Sequence, residues 1–145
     1  MSNTHRSELI RLYHQDFLDT LNTLEHSWKK LQNLTLPDIT SKNLDDLESW
    51  EALTSRFART TDIFLSKYIR LLILDLDPGF RGEMRDYLDK AEKSALITNA
   101  DQWMKIRELR NKIAHEYTSE DLLKTLKDVL QLTPFVLDEL GKLRS

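Results

Sequence analysis

The chain contains no cysteine, which excludes disulfides, thiolate nucleophiles and cysteine-ligated zinc. Glycine and proline number three each, too few for a fold built on tight turns. Valine is nearly missing, with 2 residues against 27 leucines and 8 isoleucines. Leucine is a good helix former, whereas strands draw on valine, isoleucine and aromatics, so the chain reads as all-α. Positive charge is not in excess: Lys plus Arg total 21 and Asp plus Glu 24, a net charge of −3. That balance excludes a dedicated electrostatic nucleic-acid binder of the histone kind, although not a local basic patch. Long apolar runs are missing too. The most apolar stretch, Ile69 to Leu76, contains Arg70 and Asp75 and is far too short to span a bilayer. The polar opening, Met1 to Ile10, lacks the apolar core of a signal peptide. No membrane partner is expected, and the lack of cysteine fits a cytoplasmic location.

What is present suits a soluble globular fold: 145 residues, 40% of them hydrophobic and 31% charged. At this length folding buries roughly 70% of the extended-chain surface, so no staple is needed. No internal repeat, low-complexity tract or long linker divides the chain, and residues 1–145 read as a single domain.

Helical rhythm organises the sequence. From about Ser7 to Leu34 the apolar positions Ile10, Tyr13, Phe17, Leu21, Leu24, Trp28 and Leu31 recur every three or four residues, marking a helix with one buried stripe. Pro37 closes it, and Asn43 with Asp46 signals the start of a second long helix with Trp50, Leu53, Phe57, Thr61, Phe64, Tyr68 and Leu71 inward. A short connector between long helices predicts an antiparallel hairpin. Asp77-Pro78-Gly79 ends the second helix. A shorter helix follows from roughly Glu83 to Leu96, with Met84, Tyr87, Leu88, Ala91 and Ala95 inward. After Thr98 and Asn99, a fourth helix carries Trp103 to about His115. Thr118 and Asp121 suggest a capping box for a last helix, Ser119 to Leu143, which Pro134 should kink. The expectation is an up-down antiparallel bundle of about five helices.

One stretch breaks the stripe. Around the fourth helix Trp103, Ile106, Leu109, Ile113, Ala114 and Tyr117 share one arc, and Arg110 falls inside it. A guanidinium there needs a partner, because it cannot shed its charge and its desolvation costs several kcal/mol (order of magnitude). His115 lies on a neighbouring face beside Asn111, which could hydrogen-bond the imidazole and fix its tautomer. Between Met104 and His115 four cations (Lys105, Arg107, Arg110 and Lys112) oppose the single carboxylate Glu108. This set suits RNA cleavage without a metal. The ribose 2′-OH needs a base, the leaving 5′ oxygen an acid, and the phosphoryl oxygens a fixed cation. One chain supplies one such histidine, so a two-fold dimer is needed to bring a second. The plainer alternative pairs Arg110 with a carboxylate of another helix, Asp62 being one candidate, and leaves His115 as a helix-end residue.

The string Arg110-Asn111-Lys112-Ile113-Ala114-His115-Glu116-Tyr117 resembles the R-N-x-x-A-H-x-Y signature of HEPN-domain proteins, most closely the HepT-like toxins. The helix order and the segment Gly82 to Ile97 are similar as well. The resemblance implies a type VII toxin of a toxin–antitoxin pair: a metal-independent, cofactor-free endoribonuclease acting at a homodimer cleft. Arg110, His115 and Asn111 would be its catalytic residues, and Lys105, Arg107 and Lys112 would contact RNA, possible tRNA included. It further implies a minimal nucleotidyltransferase antitoxin of the MntA type that silences the toxin by AMPylation of Tyr117. Two alternatives stand beside it: a non-catalytic nucleotide- or substrate-binding subunit of a nucleotidyltransferase, and a structural helical-bundle adaptor.

Other constellations carry less. His5, His14 and His26 lack the spacing of metal ligands and read as surface or flank residues. Asp45, Asp46 and Glu48, with Asp75 and Asp77, read as helix ends and solvated faces. Trp28, Trp50 and Trp103 read as core. No glycine-rich phosphate loop and no G-x-S-x-G elbow occurs.

Overall fold

The structure, a computed structural model, describes residues 3–32, 43–115 and 119–144. These are helical, with no strand among them: α1 (Asn3–Leu31), α2 (Leu44–Asp62), a π-helical segment (Ile63–Ile69), α3 (Arg70–Leu76), α4 (Met84–Lys93), α5 (Ala100–Ile113) and α6 (Ser119–Gly141). The backbone stays right-handed helical at Asp62, Ile63, Ile69 and Arg70. Hence α2, the π segment and α3 form one rod, and the described residues make five rods in the expected order. No helix among the described residues is long and apolar enough to cross a membrane.

Cross-helix pairs fix the directions. Reading up α1, Arg6 meets Asp75 (3.6 Å), Phe17 meets Phe64 (ring centroids 5.3 Å apart) and Ser27 meets Arg56 (2.7 Å). Partner numbers fall as α1 numbers rise, so the hairpin is antiparallel. The α5–α6 pair runs the same way: Thr98 meets Glu139 near the start of α5, and Trp103 packs on Phe135 one turn later. Phe17, Trp50, Phe57, Phe64 and Trp103 are fully buried in one hydrophobic cluster, and Trp28 packs half-buried at its edge.

The π segment has a reason in the sequence. Leu53, Phe57, Thr61, Leu65, Ile69 and Ile73 are all buried and spaced by fours. A step of four overshoots one α-helical turn by about 40°, so such a stripe would wander off the core in a regular helix. Bonding from i to i+5 widens the turn and returns Leu65, Ile69 and Ile73 inward. The expected stripe therefore fails beyond Phe64: Tyr68 and Leu71 are only half-buried.

Helix ends follow local chemistry. Asn43 and Asn99 cap α2 and α5, their side-chain oxygens accepting from the Asp46 and Gln102 N–H groups (3.2 and 3.0 Å). α4 stops at Lys93 rather than Leu96. The Ala95 N–H reaches the Glu92 carbonyl and the Leu96 N–H reaches that of Ala91, which closes a Schellman motif with Ala95 at φ 60°. Ala95 is consequently exposed, not inward as its spacing suggests. Pro134 lies inside α6 without ending the helix, which stops at Gly141. His14, read as a surface or flank residue, is half-buried against the Phe17 and Tyr68 rings, its Nε2 2.8 Å from the Leu143 carbonyl oxygen. Leu34, Pro37 and Thr118 lie outside the described residues.

Candidate functional site

The last turn of α2 and the π segment face the C-terminal half of α5 across a cleft of about 760 Å³. The α2 rod contributes Arg59, Asp62, Ser66 and Lys67, and α5 contributes Arg107, Arg110 and Asn111. Ile63 and Leu65 supply the apolar lining. Arg110 and Asn111 lie three and four residues beyond Arg107, one turn further along α5, so a single helix presents all three to one groove. Widening of the opposite helix sets the position of Ser66 and Lys67, because these residues belong to the π segment itself.

Four cations and one carboxylate line this cleft, in a chain whose net charge is −3. The carboxylate is engaged: Arg110 Nη2 donates to Asp62 Oδ2 at 2.7 Å. The two side chains remain 31% and 42% exposed, so the pair is in touch with solvent and not sealed in the core. Arg110 Nε is buried with no hydrogen-bond partner among the described residues. Among the described residues no carboxylate lies within 4.0 Å of the charged groups of Arg59, Lys67 or Arg107. The arrangement can hold an anion: one fork-shaped donor already set by a carboxylate oxygen, with three further cations around it.

Of the two readings open for Arg110, the pairing with Asp62 is the one present in the single chain. The motif histidine stands apart. α5 ends at Ile113, with Ala114 as its C-cap, and His115 follows as an exposed residue whose backbone N–H reaches the Lys112 carbonyl (3.1 Å). His115 is not among the residues lining the cleft, and no described residue hydrogen-bonds its imidazole; the expected bond from Asn111 is not made. Because the helix stops there, the shared face of Arg110 and Tyr117 no longer follows from helical register. Tyr117 lies outside the described residues.

The expected RNA-contacting residues divide. Arg107 lines the cleft with Arg110, whereas Lys105 and Lys112 turn toward α6, around a shallow depression with Glu108, Asp128 and Gln131. Proximity in sequence placed all three together, but α5 has a neighbour on each side and cations at positions 105 and 112 fall on the other one. The sequence reading missed Arg59, Ser66 and Lys67. Their signal was faint: charged and polar residues on the flank of a long amphipathic helix, with nothing to say which helix that flank meets. Asp62 was legible, as one candidate carboxylate for Arg110.

Among the described residues no group of three or more His, Cys, Asp or Glu gathers to hold a metal ion. No protein-family model matches the chain, and a search of curated proteins finds no match.

Proposed function

We propose that this chain is a HEPN-type ribonuclease that cleaves RNA without a metal and works as a homodimer. The supporting observation is the cleft in which Arg110 and Asn111 of the motif stand with Arg59, Lys67 and Arg107. In the reaction the ribose 2′-OH attacks the adjacent phosphorus, its proton passing to one imidazole. The bond to the 5′ oxygen breaks, and that oxygen takes a proton from a second imidazole, leaving a 2′,3′-cyclic phosphate and a 5′-OH. His115 of each protomer supplies one of these groups. Arg110 exchanges Asp62 for a phosphoryl oxygen and neutralises the charge that builds there. Exposure of both His115 and the Arg110–Asp62 pair leaves these groups open to a second protomer.

Digestion of total RNA with EDTA present tests the reading. Wild type should cleave, and His115→Ala and Arg110→Ala should each lose activity by a factor of about 100 or more, the scale of one general acid–base group. Cleavage that persists in both variants would sink it. The antitoxin relationship is tested separately: incubation with an MntA-type nucleotidyltransferase and ATP should raise the intact mass by whole AMP units, and Tyr117→Phe should abolish the gain.

A second reading, a nucleotide- or substrate-binding subunit of a nucleotidyltransferase, is favoured by one feature: Arg110 is tied to Asp62 while His115 stands unsupported outside the cleft. Measurable nucleotide binding without RNA cleavage would decide for it.

A further inference from the structure

The residues contributed by the α2 rod say more about the ligand than the motif does. Arg59 and Lys67 bracket the α2 side of the cleft, eight residues apart on one continuous helix, on the order of 12 Å along its axis. Arg107 and Arg110 stand on the opposite wall. A lone phosphate offers one point of charge to cations spread along both walls. A nucleic-acid strand offers a row of them, one about every 3.4 Å of rise. Ser66, exposed between the two cations, adds a hydroxyl donor. Arg59 and Lys67 are themselves exposed and hold no carboxylate among the described residues, so neither has an ion pair to break when phosphates arrive.

We propose that Arg59 and Lys67 grip separate backbone phosphates, about three to four nucleotides apart, of a single RNA strand, which lies along the cleft past Arg107 and Arg110. The inference rests on the RNA reading given above and narrows it: the ligand is a strand with several phosphates, not a mononucleotide. Asp62 is the internal anion that the strand displaces from Arg110. Three to four phosphates are therefore neutralised, the range reflecting that Arg110 starts out paired with Asp62 and frees that carboxylate in the exchange.

Counterion release makes this measurable. For single strands the slope of log affinity against log salt is about −0.7 per phosphate neutralised, giving roughly −2 to −3 here. With a 2′-O-methyl RNA oligonucleotide, which cannot be cut because the nucleophile is blocked, wild type should lose roughly 20- to 50-fold in affinity between about 50 and about 200 mM salt. Arg59→Gln and Lys67→Gln should each flatten the slope by about 0.7, and the double variant should lose only roughly three- to sevenfold over the same range. Lys93→Gln, at an exposed position on α4, should leave the slope unchanged. Thermal melts should show both cleft variants folded, since exposed unpaired cations add little to stability. If RNA binds but the slope ignores Arg59 and Lys67, the strand path is wrong while the ribonuclease reading stands. Tighter binding of a nucleoside monophosphate than of the oligonucleotide would also overturn the path, in favour of the second reading. No binding of the oligonucleotide in low salt would remove the strand path, and RNA digestion in the same buffer would then decide the ribonuclease reading on its own.

Discussion

At the scale of single residues, the buried carboxylate of Glu139 shows what a charge in the core requires. Its Oε1 accepts from the Thr98 N–H (2.6 Å) and from Trp103 Nε1 (3.3 Å), and its Oε2 accepts from the Thr98 hydroxyl (2.9 Å). Two donors of Thr98, just before α5, and one of Trp103 in its first turn are thereby tied to α6. Glu139→Ala leaves the Trp103 and Thr98 donors without a partner, and should cost about 3 kcal/mol in urea unfolding. The Arg110–Asp62 pair behaves differently because it is part-exposed. Asp62→Ala should change stability by less than about 1 kcal/mol, so any larger effect on RNA affinity reports the freed guanidinium rather than unfolding. Tyr68 supplies a pH dependence. Burial against Phe17 and Phe64 raises its hydroxyl above the ordinary value of about 10. Above pH 10 the unfolded chain releases this proton while the folded chain keeps it, so the unfolded state binds fewer protons and stability falls as pH rises. Below pH 10 the group adds no slope. Urea midpoints at about pH 9 and about pH 11 should differ for wild type, and Tyr68→Phe should reduce the difference.

At the scale of elements, helix ends carry the clearest consequences. Ala95 occupies the left-handed position of a Schellman motif, where a Cβ is penalised and glycine is not. Ala95→Gly should stabilise the protein by up to about 1 kcal/mol, read as a higher melting temperature. Gly82 is the opposite case. A Cβ there would stand 2.7 Å from the Asp86 Cβ and 2.6 Å from its Oδ2. That oxygen accepts from the Glu83 N–H at 2.8 Å and closes the start of α4. Gly82→Ala should push Asp86 off this bond and cost about 1 kcal/mol, the usual worth of a cap. The π segment is the element closest to the site. Its phase change keeps the fours-spaced stripe inside and leaves Ser66 and Lys67 on the cleft.

At the scale of the whole molecule, the proposed chemistry needs two copies, because one chain offers one motif imidazole per cleft. Light scattering should give about twice the 17.1 kDa chain mass at the concentrations where RNA is cut. Full activity in a 17.1 kDa species would remove the dimer from the mechanism.

The sequence by itself determined the helical class, the order of the rods, the cap at Asn43 and the cationic character of α5. These depend on near neighbours in the chain, through propensity, three-and-four spacing and side chains that reach their own helix end. It also offered Asp62 as one candidate partner for Arg110, since a seam guanidinium demands an acid. Only the tertiary structure decided which cations share the cleft. Arg59 and Lys67 join Arg107 and Arg110 because two helices fifty residues apart lie side by side, whereas Lys105 and Lys112 fall toward α6. The end of α5 at Ile113, which leaves His115 beyond the helix, likewise escaped a periodicity that continues through Tyr117. Periodicity reports which face of a helix is apolar; what stands opposite its polar flank is set by how the rods pack.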